Sequence, residues 1–162
     1  MTVSNIVRYA EAEDAAALLA MMRELAAFEG YLPDFRVQEQ DLLVRGLGRG
    51  LGRGLSHEPA QFHALLAESA DGTLLGYAVL VEIAFTYDLR ADCRLKELYV
   101  NPAARGLGVG TTLMQAVLTH ARSRGCGRLK WDVLPGNENA RQFYRRLGGQ
   151  PDTGWEAWIL PL

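Results

Sequence analysis

The segment Glu97-Leu98-Tyr99-Val100-Asn101-Pro102-Ala103-Ala104-Arg105-Gly106-Leu107-Gly108-Val109-Gly110-Thr111 decides the fold class. Its apolar run 95–100 predicts a strand that stops at Asn101-Pro102. A glycine-rich turn follows, and Leu113, Val117 and Ala121 then repeat at helical spacing, which predicts a helix over about 110–123. A strand that turns through glycines into a helix exposes main-chain N–H groups at the positive end of the helix dipole. It is therefore an anion cradle. The glycines fall as GxGxG behind Arg105, with no acidic residue at the distance a dinucleotide fold requires.

Working outward, residues 6–9 predict an opening strand. Asp14 heads a helix in which Leu18, Met22, Leu25 and Phe28 share one face, and a short helical piece follows around 38–44. Runs 62–68 and 74–83 flank Asp71-Gly72, a hairpin signal, and predict antiparallel neighbours. Behind the glycine turn, 129–133 alternates as a strand. Asn137 starts a helix with Ala140, Phe143, Tyr144 and Leu147 on one face, Gly148-Gly149 stops it, and 155–160 predicts a closing strand. The order is mixed α/β, with an antiparallel front half and a β-α-β-α back half.

Length and composition fit one domain over 1–162, with 49% apolar and 22% charged residues. A net charge of −2 gives no global attraction to nucleic acid. No apolar run predicts a membrane span and no leader is evident at Met1 to Tyr9, so the expected setting is cytoplasmic. Cys93 and Cys126 lie apart without CxxC spacing and are expected as reduced thiols. His57, His63 and His120 show no helical metal spacing, and no metal is expected. Arg45-Gly46-Leu47-Gly48 repeats from Arg49 and begins again at Arg53. Five glycines in nine residues oppose a helix, so about 45–58 is expected as an inserted Gly/Arg-rich connector; it lacks the Gly-Lys-Ser/Thr of a phosphate loop.

Arg105-x-x-Gly108-x-Gly110, the strand before it and the Asn137…Phe143-Tyr144 helix after it resemble the GNAT acetyltransferases over nearly the whole chain. Glu24-Leu25-Ala26…Glu29, Asp41-Leu42-Leu43, Phe85-Thr86-Tyr87-Asp88, Phe143-Tyr144-Arg145-Arg146 and Gly154-Trp155 are similar to the diamine (spermidine/spermine) branch. The resemblance implies a twisted, mostly antiparallel sheet of six to seven strands, with a parallel pair splayed around acetyl-CoA and about four flanking helices. It implies that the main chain of Leu98, Tyr99 and Val100 holds the pantetheine arm. Arg105, Gly106, Leu107, Gly108, Val109, Gly110 and Thr111 would hold the pyrophosphate, with Asn137, Asn139, Ala140 and Tyr144 flanking the cofactor. It also implies a homodimer.

The chemistry suits those residue types. An amine attacking a thioester builds charge on the carbonyl oxygen, which a fixed backbone N–H, placed by the resemblance at Leu98, would stabilise. Tyr144 can protonate the departing thiolate, and Glu97 or Glu29 can take the amine's proton. Phe28, Glu29, Asp88, Lys96 and Trp155 are expected around a small-molecule primary amine.

Lys96 stands where the polyamine enzymes carry a glutamate, Arg90 falls near their tryptophan, and Thr153 replaces another acid. By charge complementarity an amine that also bears a carboxylate, such as a lysine-like amino acid, suits this chain better than spermidine. The alternatives are acetylation of protein N-termini or lysines, and a CoA-binding regulator without turnover.

Overall fold

The computed structural model describes residues 4–47 and 59–162. Most of the Gly/Arg-rich repeat lies outside the described residues. The chain divides into two compact units, Met1–Asp132 and Val133–Leu162.

The first unit carries a five-stranded sheet in sequential order: β1 (Asn5–Tyr9), β2 (His63–Ser69), β3 (Leu74–Ile83), β4 (Asp92–Val100) and β5 (Arg128–Lys130). Neighbours from β1 to β4 are antiparallel, and β4 and β5 are parallel. A parallel pair needs a crossover, and α3 (Val109–Ser123) supplies it. Side chains alternate across the sheet. Ala64, Leu66, Tyr77, Val79 and Tyr99 pack with Leu18, Met22 and Leu25 of α1 (Ala15–Glu29) and with Leu42 of α2 (Glu39–Arg45). Their neighbours Leu65, Ala67, Ala78 and Leu80 take the opposite face, toward α3, whose Leu113 and Val117 are fully buried. Each leucine buried this way contributes about 1.5–3 kcal/mol.

Gly76 has a spatial reason. A Cβ there would strike the Tyr99 carbonyl oxygen and the Val100 Cα, both backbone atoms that cannot swing aside. Gly76→Ala is expected to cost about 3 kcal/mol or more; urea unfolding followed by circular dichroism measures it.

The second unit carries α4 (Glu138–Arg146). Two expectations are corrected. The sheet has five strands among the described residues, not six to seven, and 155–160 forms no strand; Trp155, Trp158 and Ile159 stay exposed there. Alternating side chains make a strand only where a neighbouring edge completes the ladder. Here the outermost strand, β5, is three residues long and pairs through β4 alone.

Candidate active site

The site is built from a fault in the β3–β4 ladder. Leu80 pairs with Leu95 and Val79 with Glu97, so Lys96 is an extra residue, a β-bulge. Cys93 and Leu95 before the bulge face α3. Beyond it Glu97, opposite Val79, and Tyr99, opposite Tyr77, face α1 instead. Pairing with β5 ends at Arg94, so among the described residues no strand covers the free edge of β4 from Glu97 to Val100. Leu98, whose N–H is the expected oxyanion donor, lies in this segment, and Lys96 is exposed on the bulge.

Glu97 is half-buried and accepts a 2.7 Å hydrogen bond at Oε2 from the Tyr77 hydroxyl. Burial raises its carboxyl above the usual carboxylate range; the Tyr77 bond opposes this and the charge of Glu29 adds to it. Glu29, at the end of α1, is raised by desolvation. Tyr31 is pushed up to about 12 by burial and then by the charges of Glu97 and Glu29. Tyr77, fully buried, lies far above the usual phenol range and remains a hydrogen-bond donor. Two carboxylates and two phenols thus feel one another's charge, a chemistry fitted to receiving a cation and then its proton.

After β4, Asn101 accepts a hydrogen bond from the Ala103 N–H and opens a tight turn. Gly106 and Gly108 have φ of 77° and 88°, a left-handed backbone that glycine adopts without strain. Gly108 is the N-cap of α3 and has no side chain to cap it. The first intrahelical bond in this turn is Thr112 N–H to Gly108 O at 3.0 Å, which leaves the N–H groups of Val109, Gly110 and Thr111 without an intrahelical acceptor. Leu107 completes the turn. The guanidinium of Arg105 bonds the Val100 carbonyl at 3.0 Å and lies 5.6 Å from the ring centre of Phe28, which fixes the turn against both β4 and α1.

In the second unit, Asn137 caps α4 by accepting the Ala140 N–H at 3.1 Å, with Asn139 in the first turn. Tyr144 stacks edge-on with Phe143, ring centres 5.2 Å apart. Trp155 is exposed.

Asp88 belongs to a different neighbourhood. It sits before the start of β4, about 17 Å of strand from Glu97 if counted from Asp92. Thr86, Arg90 and Arg128 bond its carboxylate and hold it well below the usual carboxylate range. Its charge is already answered by Arg90 of the same loop and Arg128 at the start of β5. Sequence reasoning overlooked Tyr77 and Tyr31. Tyr77 reaches Glu97 only through strand register, which no local pattern announces.

Three comparisons bear on this geometry. The model of the Acetyltransferase (GNAT) family matches residues 19–149. Thialysine N-epsilon-acetyltransferase of Mus musculus is 31% identical over 163 residues, 96% of this chain and 90% of its own. Spermidine/spermine N(1)-acetyltransferase-like protein 1 of Homo sapiens is 29% identical over 95% of this chain but only 22% of its own. Among solved structures, the crystal structure of a probable acetyltransferase superposes with a TM-score of 0.78 at 21% identity, over 97% of each chain, and agrees in fold. Because the family match begins within α1 and runs past the end of α4, the chain belongs to the GNAT family of acetyltransferases and is an acetyl-transferring enzyme.

Proposed function

We propose that this enzyme acetylates the primary amine of a small molecule of diamine or lysine-like amino-acid type, with acetyl-CoA as donor and direct attack in a ternary complex. The observation that carries the reading is Glu97: a desolvated carboxyl, turned toward α1 by the bulge, bonded by Tyr77 and neighbour to Glu29. Its raised proton affinity suits a base that must take a proton from an ammonium group. The turn from Arg105 to Thr111 fits a pyrophosphate, because its N–H groups are uncapped and a Cβ at Gly106 would meet nothing within 4 Å. Acetyl-CoA, when bound, supplies the activated acetyl group. By the resemblance, the Leu98 N–H would polarise the carbonyl oxygen of a bound acetyl group, and Tyr144 Oη would supply the proton to the departing thiolate. Asn137, Asn139 and Ala140 flank the cofactor in this reading, and Phe28, Glu29, Lys96 and Trp155 flank the acceptor.

Lys96 favours an acceptor that carries a carboxylate, and the murine relative is named for thialysine, which supports the amino-acid arm of the reading. The test is CoA thiol release with spermidine, short diamines, thialysine, lysine and a free-N-terminus peptide. Thialysine or lysine is expected to exceed spermidine in kcat/KM, and Lys96→Glu is expected to shift that ratio toward spermidine by about tenfold, near 1.4 kcal/mol. Turnover confined to the peptide would refute the small-amine reading.

The reading includes a homodimer, as the resemblance implies; exposed Trp155, Trp158 and Ile159 offer apolar surface for it. Light scattering that returns the mass of one chain at assay concentration would rule it out.

A further inference from the structure

We propose that His63, Glu82 and His120 form a binding site for a divalent ion of the zinc class, at the end of α3 opposite the glycine turn. The ligands come from β2, β3 and α3, three elements that meet only in the folded chain. Helix spacing, the test a sequence allows, therefore passes over them. One donor atom from each lies within 4.8 Å of the other two. Glu82 Oε1 is 3.1 Å from His120 Nε2 and 3.7 Å from His63 Nε2. Bonds of about 2.0–2.1 Å at tetrahedral angles place donors about 3.4 Å apart, so both separations lie within a few tenths of an ångström of a coordinating set.

The surroundings match such a site. His120 is buried, and its second nitrogen, Nδ1, is 2.7 Å from the Tyr9 hydroxyl. With Nε2 on an ion, Nδ1 carries the proton and donates it to Tyr9, the outer-sphere bond that orients ligating histidines. Two imidazoles and one carboxylate leave a fourth position open to water.

One cation is already at hand. Arg124 Nε bonds the same Oε1 at 2.9 Å, and Nη2 reaches Oε2 at 3.3 Å. Its side chain is half exposed and can move to solvent, so it competes with an ion without blocking it. His120 lies eleven residues along α3 from Val109, about 16 Å of helix. The ion would therefore clasp β2, β3 and α3 together and take no part in acetyl transfer.

The experiment uses untagged, chelator-treated protein titrated with Co²⁺ by absorption and with Zn²⁺ by calorimetry, alongside thermal melts. One equivalent is expected to bind, with visible cobalt bands and no thiolate charge-transfer band. Tm is expected to rise by about 5–10 °C at a hundredfold excess over Kd. His63→Gln and Glu82→Gln, each verified as folded by circular dichroism, are expected to weaken binding at least tenfold, and Arg124→Gln to tighten it. The proposal fails if the parent shows no saturable binding or if both ligand variants bind as the parent does. It also fails if a thiolate band appears that Cys126→Ser removes, since Cys126 neighbours Cys93, which sits opposite Glu82 in the ladder.

Discussion

Glu97→Gln is expected to lower kcat by about 10²- to 10⁴-fold while stabilising the fold. The amide keeps an oxygen for the Tyr77 hydroxyl and matches the carboxylate in shape, but it cannot take a proton. The stability gain follows from the direction of the Glu97 shift. A carboxyl raised in the folded state favours folding below its unfolded value near 4.3, and that contribution is lost as pH rises through the folded value. Above that folded value the parent carries a desolvated charge that glutamine does not. The variant's urea midpoint is therefore expected to exceed the parent's there, and the difference to shrink toward pH 4. In the parent, kcat/KM is expected to rise with pH along a limb set by Glu97, above the usual carboxylate range. A variant that loses activity and stability together would mean that Glu97 is chiefly a packing residue.

The second large effect is expected at Tyr144→Phe: a fall in kcat of about 10²-fold at pH 7, with the Kd for acetyl-CoA unchanged. A free thiol has a reference value near 8.5 and a phenol near 10. The sulfur thus needs a donor at neutral pH and needs it less as pH climbs. The deficit is expected to narrow above pH 9, which separates proton donation from support of the Phe143 ring that Tyr144 touches. Stopped-flow thiol release together with fluorescence titration of acetyl-CoA reads both quantities. A pH-independent deficit would assign Tyr144 to positioning.

The parts of this molecule that could be read from sequence are those whose cause is local. The turn at Gly106 and Gly108 announces itself because a left-handed backbone selects glycine, and Asn137 because an exposed helix end selects a short acceptor side chain. The order of strands and helices follows from hydrophobic period, and the five strands and four helices of the described residues lie near where that period puts them. Where the cause is tertiary, the pattern runs out. Residues 155–160 alternate like a strand and form none, because alternation describes a face and says nothing of an edge to join. The partnership of Tyr77 with Glu97 depends on register across twenty positions, and the meeting of His63 with Glu82 and His120 depends on three elements converging. Asp88 looked available for an amine as a letter in a motif; its arginine neighbours already occupy it.

The bulge at Lys96 gives β4 two reading frames. Odd-numbered positions point one way up to Leu95 and the other way from Glu97, so parity along the strand carries no fixed meaning. Deleting Lys96 would merge the frames: Leu95 and Glu97 would become adjacent, still opposite Leu80 and Val79, with every apolar side chain on its present side. What such a chain would lose is the bend that an extra residue imposes on its strand. Shortening by one residue, unlike any substitution, would thus leave the packing code intact and erase the curvature, dividing what the strand needs to fold from what it needs to serve a reaction.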